Sequence, residues 1–314
     1  MNDVIAMTAR ADRSRRFAVA GCDDLVTGPA RTVTGEDLRG LAPYGYHAPS
    51  DRLWLVNTPR AALEHSFLYA AQADATERVL TMRPHTLLER LPHVDWQRAR
   101  PLLVLSIGRC GSTVASRYLG DLGWRSLSEP DVFDLATWEL DVTRTDRALR
   151  AAAAAWMAFA GSTPDRTAFK FRSDLSSHVH VLRRAFPGAR ILFLTREIEA
   201  WAHSFVRAFG VDNRHLAGTL RHARRCLAQL AEANAPFAIV DHSKLARDPA
   251  VLLRALQRLG YAVDGDLEPR ERHAQADERD RFEGMTPQKR GQVADFLARE
   301  DQPIVPRAAE PFVI

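Results

Sequence analysis

The chain has 314 residues, 46% of them hydrophobic and 26% charged, an ordinary balance for a folded protein long enough to bury a large core. Its 43 lysines and arginines against 39 aspartates and glutamates leave a formal net charge of +4. That excess permits an anionic small molecule but lacks the concentrated basic face that nucleic-acid binding asks for, and no apolar run approaches the roughly 18 residues of a membrane span.

Three cysteines, Cys22, Cys110 and Cys226, are far apart and odd in number, so neither a disulfide framework nor a metal spacing is present and a reducing cytoplasm is expected. Near the start, the basic stretch Arg10–Arg16 runs into Phe17-Ala-Val-Ala-Gly-Cys22. Its apolar part is shorter than the roughly 7 to 15 residues of a signal peptide, and it reads as strand or loop. Residues 1–100 carry no motif with a mechanism. Arg52–Val56 reads as a strand, Pro59–Ala73 as a helix with proline in its first turn, and Thr86–Leu91 as a short helix. This part is expected to be an N-terminal extension that packs on the main domain and helps to shape a substrate pocket.

From residue 101 the pattern changes. Strands are expected at Leu102–Ser106, Thr167–Phe171, Arg190–Thr195 and Phe237–Val240. Helices are expected at Ser112–Leu122, Thr143–Phe159, Leu175–Phe186, Ile198–Phe209, Leu216–Ala233 and Pro249–Leu259. Short apolar strands alternating with helices imply an α/β fold, a parallel sheet flanked by helices on both faces. Residues 101–265 form the expected nucleotide-binding core. Residues 266–314 form a wrapping segment of the same domain, with a helix near Gln288–Arg299. The arginine-rich stretch Arg221–Arg225 reads as a solvated helix face.

The chemistry concentrates in Leu102–Leu119, a strand, a glycine turn and a helix. This is the layout of a phosphate-binding loop, but the lysine of G-x-x-x-x-G-K-[ST] is missing and Arg109 sits inside a shorter loop. In a parallel sheet ligands bind beyond the carboxyl ends of strands, where backbone N–H groups and the helix dipole favour an anion. Gly108, Arg109, Cys110, Gly111, Ser112 and Thr113 are the candidate anion-binding residues, with Arg109 as a fixed positive fork. A thiol at a helix N-terminus is open to a lowered pKa, but Cys110 has no evident triad partner. A second constellation follows a strand end: Arg196 and Ser204, eight residues apart, about two helical turns, so that both project along one side.

Read together, Ile107-Gly-Arg-Cys-Gly-Ser-Thr113 and Leu194-Thr-Arg-Glu-Ile-Glu-Ala-Trp-Ala-His-Ser204 resemble the sulfotransferases that use 3′-phosphoadenosine 5′-phosphosulfate. The stretch Val240–Pro249, leading into a helix and Leu259-Gly-Tyr261, is similar to a third region of that family. The resemblance spans residues 100–262. It implies the P-loop-like, three-layer sulfotransferase fold, with the loop around Arg109, Gly111, Ser112 and Thr113 on the 5′-phosphosulfate, and Arg196 with Ser204 on the 3′-phosphate. It implies in-line transfer of a sulfuryl group to a small-molecule hydroxyl or amine, without metal. Donors aimed at the leaving phosphate supply most of the catalysis, with Arg109 leading.

An acceptor hydroxyl also needs a base. Many family members carry K-x-H at a strand end; here Lys170 matches the lysine, but Arg172 stands where the histidine would, and an arginine stays protonated. Other branches use a glutamate after the first helix, which points to Glu129 in Ser128-Glu129-Pro130, with His203 as the alternative. Lys170 is then expected at the bridging oxygen or the sulfuryl group. His178 and His180, two apart on a helix, cannot share a metal. Two rival readings stay open: a P-loop small-molecule kinase, and a non-catalytic nucleotide-binding protein on the same fold. Trp54, Trp138 and Trp156 point to an apolar or aromatic acceptor. No nucleic-acid or membrane partner is expected, and the sequence is silent on oligomeric state.

Overall fold

The computed structural model describes residues 4–9, 25–30, 38–65, 68–73, 79–137, 141–268, 285–300 and 303–314. The expectations for Arg10–Cys22 and for Trp138 lie outside these residues. Two sheets organise the fold. The first is antiparallel, built from β1 (Val4–Ala9), β2 (Leu25–Ala30), β3 (Leu41–His47), β4 (Arg52–Asn57) and β5 (Val79–Met82) in the order β2-β1-β5-β4-β3. Helices α1 (Leu68–Ala73) and α2 (Pro84–Arg90) accompany it. The second is the expected parallel sheet flanked by helices.

That sheet takes β6 (Leu102–Ser106), β7 (Arg125–Ser128), β8 (Thr167–Lys170), β9 (Arg190–Thr195) and β10 (Phe237–Asp241) in the order β10-β9-β6-β8-β7. Its helices in chain order are α3 (Ser112–Asp121), α4 (Val142–Ala160), α5 (Val179–Ala185), α6 (Ile198–Phe209), α7 (Asn213–Glu232), α8 (His242–Arg247), α9 (Ala250–Arg258) and α10 (Pro287–Leu297). Among the described residues no helix is long and apolar enough to cross a membrane.

The chain divides into two compact units. One comprises Met1–Leu102, Gly123–Phe171 and His180–Ala189. Its α4 is held at both ends: Asp141 accepts from the Arg144 N–H at the start, and Gly161, with φ +64°, closes the end. Ala148 and Ala151–Ala155 are buried along it, so the helix is wrapped on more than one side. Phe133, Phe169 and Phe171 meet edge to face or stacked, with centroids 5.1 to 6.4 Å apart. The β3–β4 hairpin is tied to the start of α4. The Tyr46 hydroxyl donates to Asp51 Oδ1 at 2.6 Å, and the Arg144 guanidinium donates to the Tyr46 oxygen and the Ala48 carbonyl.

The other unit comprises Leu103–Leu122, Arg172–Val179 and Arg190–Ile314. Here β9 and β10 pair in parallel, Ile191 opposite Phe237 through Thr195 opposite Asp241. The exposed side of β10 is covered by the segment Arg307–Phe312 and the residues after it. Ile239 bridges Val313, the Ile314 N–H donates to the Ile239 carbonyl, and Phe312 stacks on Phe237 with centroids 4.0 Å apart. Covering a sheet edge in this way removes a template for unwanted pairing. Helix α10 packs Phe296 against Trp201 of α6, and Arg224 of α7 pairs with Glu300 at 2.8 Å.

Two segments differ from the sequence expectation. Leu175–Phe186 is not one α-helix: Ser173–His178 is a 3₁₀ turn and α5 starts only at Val179. The hydroxyls of Ser176 and Ser177 bond the carbonyls of Ser173 and Asp174, three residues back, both at 2.7 Å, which fits the tighter turn. The expected helix Pro59–Ala73 is a 3₁₀ turn at Arg60–Glu64, closed at an extended His65, followed by a separate α1.

Candidate functional site

The strand β6 is buried at every position, so its end is fixed before the loop begins. The loop backbone then turns sharply. Gly108 and Gly111 have φ +76°, a region glycine enters without steric cost. Arg109 has φ +55°, which a side-chain-bearing residue occupies only where its surroundings hold it. Those surroundings are visible. The Gly108 N–H donates to Ser106 Oγ at 3.2 Å, Trp201 Nε1–H donates to the Ile107 carbonyl at 3.3 Å, and Arg196 donates to the Arg109 carbonyl at 3.2 Å. Each bond ties the turn to β6, to α6 or to the end of β9.

The Arg109 side chain runs to Ser204, its Nε–H donating to Oγ at 3.3 Å. Ser204 is buried. Arg109, Arg196 and Ser204 therefore converge on one loop, although they are separated by up to 95 residues in sequence. At the loop's end α3 begins on Gly111, which has no side chain to cap it. By contrast α4, α6, α7, α8 and α10 are capped by their own Asp141, Glu197, Asp212, Asp241 and Thr286. The first-turn N–H groups of α3, the Ser112 and Thr113 hydroxyls and the guanidinium of Arg109 form a donor-rich set of the kind that receives a phosphate or sulfate group.

Cys110 differs from its neighbours. Its side chain is fully buried, with Sγ 3.0 Å from the Gly108 carbonyl. Burial pushes the thiol far above its usual range, outweighing the nearby Arg196 and Arg109. The lowered pKa that a helix N-terminus lends a thiol is absent, and Cys110 offers a ligand only its backbone.

In the first unit, Lys170 and Glu129 form a pair of their own. Lys170 ends β8 and is 1% exposed, and its Nζ lies 3.0 Å from Glu129 Oε1. Glu129 follows β7 directly, has φ +52°, and donates its N–H to the Lys170 carbonyl at 2.8 Å. The register that sets Ser128 opposite Lys170 brings the two together. A buried lysine at this place needs a counter-charge, and Glu129 provides it. Arg172 stands just before the 3₁₀ turn at Ser173–His178 and supplies no base. His203 lies on α6, about 3.9 Å from Glu199 and partly exposed.

One residue at the loop went unnoticed in the sequence. His242, first residue of α8, lays its imidazole against Gly111: a Cβ added at Gly111 would collide with His242 Cδ2. It borders a cleft of about 220 Å³ together with Arg196, Glu197, Ala200, Ser243 and Arg247. The stretch Val240–Pro249 already belongs to the sequence resemblance, but a single histidine at a strand end carries no periodicity or spacing that marks it. Among the described residues no group of three or more His, Cys, Asp or Glu side chains is placed to hold a metal ion.

No protein-family model matches the chain, and no curated protein sequence matches it. Solved structures do resemble it in fold. Sulfotransferase STF9 from Mycobacterium avium is 17% identical, over 71% of this chain and 74% of that one, with a TM-score of 0.43. The sulfotransferase domain of the Synechococcus PCC 7002 olefin synthase is 19% identical, over 67% and 98%, at 0.38. Sulfotransferase STF1 from Mycobacterium tuberculosis H37Rv is 14% identical, over 78% and 81%, at 0.39. Likenesses at these scores carry no functional argument, which has to come from the side chains.

Proposed function

We propose that the chain is a sulfotransferase that takes 3′-phosphoadenosine 5′-phosphosulfate and sulfates a hydroxyl or amine of a small molecule. The observation that carries the reading is the convergence of Arg109, Arg196 and Ser204 on a loop that opens α3 without a side-chain cap. The donor set fits the group: it offers backbone N–H groups, two hydroxyls and guanidinium charge, and no lysine in the place where a γ-phosphate is usually met. The bound donor would supply a sulfuryl group, passed in line to the acceptor atom.

The residues of the chain then have separate tasks. The α3 N-terminus, Ser112, Thr113 and Arg109 hold the phosphate from which the sulfuryl group departs and stabilise the charge that builds there. Arg196 and Ser204 hold the second phosphate and fix the orientation of the first, since they also fix the Arg109 backbone and side chain. Glu129 takes the proton that the acceptor loses, and Lys170 keeps that carboxylate in place.

The test is transfer of labelled sulfate from the donor to a panel of hydroxyl and amine acceptors, by wild type and Glu129→Gln. Transfer is expected to fall about a hundredfold or more in the variant, with bisphosphonucleotide affinity unchanged. Equal rates in the two proteins would remove Glu129 from the chemistry. Magnesium-dependent transfer from ATP in place of sulfate transfer would move the reading to a kinase.

A further inference from the structure

We infer that His242 is a binding residue for the phosphate group held by the 108–113 loop, and that it adds a positive charge there only when protonated. The inference rests on the reading of that loop as a phosphate site. Its basis is position: the imidazole presses on Gly111, the residue at which α3 begins, from inside the cleft that Arg196 and Arg247 also line. A side chain packed on that Cα borders the space in front of the first-turn N–H groups of α3, where an anion is received.

The charges around it do not duplicate this role. Arg109 and Arg196 are permanently cationic and engaged with Ser204 and the loop carbonyl. Glu197 is spent on the N–H groups of Glu199 and Ala200, and Asp241 on those of Ser243 and Lys244. Lys244 reaches away to the Ile314 carbonyl, Arg247 lines the cleft from the same short helix, and burial keeps the Cys110 thiol neutral. Of the side chains in this set, histidine is the type that can exchange a proton in the physiological pH range. By linkage, an anion that binds the imidazolium better than the imidazole must draw a proton onto it.

The experiment is calorimetric titration of adenosine 3′,5′-bisphosphate into wild type, His242→Gln and His242→Asn at pH 6.5 to 8.5, in pairs of buffers with different ionisation enthalpies. Phosphate monoesters themselves gain a proton near pH 6, so the comparison is between proteins at each pH. Wild type is expected to take up a fraction of a proton on binding near pH 7, and to bind more tightly than either variant by about tenfold at pH 6.5, a margin that shrinks towards pH 8.5. Melting curves show whether each variant is folded, and the difference in proton uptake between wild type and a folded variant assigns the proton to the protein. Equal affinity and equal proton uptake in all three proteins would overturn the role of His242. Absence of binding by wild type at every pH would instead overturn the reading of the loop.

Discussion

Gly111 carries two constraints at once, and they act on different observables. Its φ of +76° disfavours any side chain, and a Cβ there would strike His242. Gly108 shares the backbone constraint, but an atom added there would come no closer than 3.1 Å to the Phe205 ring and 3.3 Å to Ser173 Oγ. Gly111→Ala is therefore expected to lower stability by about 1–3 kcal/mol and to weaken bisphosphonucleotide binding, both more than Gly108→Ala does. Denaturant unfolding of the two variants, with a titration of each, checks the ranking, and a Gly111→Ala protein as stable and as tight-binding as wild type would contradict it. Arg109 and Glu129 sit in the same backbone region without glycine's freedom. Strain of that kind persists where the surroundings over-determine it, and both residues are held by bonds on side chain or backbone.

Among the elements, the β3–β4 hairpin makes a pH prediction that is separate from the loop. Burial first, and then the Asp51 carboxylate, push the Tyr46 phenol up to about 12, with Arg144 pulling the other way. A raised pKa means that the folded state holds the proton more tightly than the unfolded one. The stabilisation is fully present below pH 10 and is lost as pH rises from 10 through about 12. Of the five tyrosines, one is expected to ionise last in an absorbance titration of the folded protein, and Tyr46→Phe removes that late step and costs about 1 kcal/mol at neutral pH. Simultaneous ionisation of all five near pH 10 would contradict this. Element α6 works at the other unit's site in a comparable way. Trp201 and Phe205, one turn apart, hold Ile107 and Gly108 from the same helix that supplies Ser204.

At the scale of the whole molecule, the parallel sheet was legible because its central strands are short apolar runs bounded by glycine, proline or charge. Leu102–Ser106, Arg190–Thr195 and Ile198–Phe209 end where the sequence says they end. The antiparallel sheet was mostly not legible. Strand β3 carries Pro43 and Gly45, with a register shift between them, so its alternation is broken by its own bulge. Strand β7 is Arg-Ser-Leu-Ser, which reads as loop until β8 pairs with it. The ion pair of Lys170 with Glu129 was equally hidden, since it depends on that register. The two arginines and the serine were readable because their spacing to strand ends has a chemical meaning, and His242 was not because its meaning is purely spatial. The central claim is that Arg109 and Arg196 serve one bisphosphorylated nucleotide. Calorimetric titration of adenosine 3′,5′-bisphosphate, against ATP with magnesium, into wild type, Arg109→Ala and Arg196→Ala tests it most directly. The account predicts one metal-independent site per chain, preferred over ATP, with affinity down about tenfold or more in each variant. Binding that ignores both substitutions, or a preference for magnesium ATP, would contradict it.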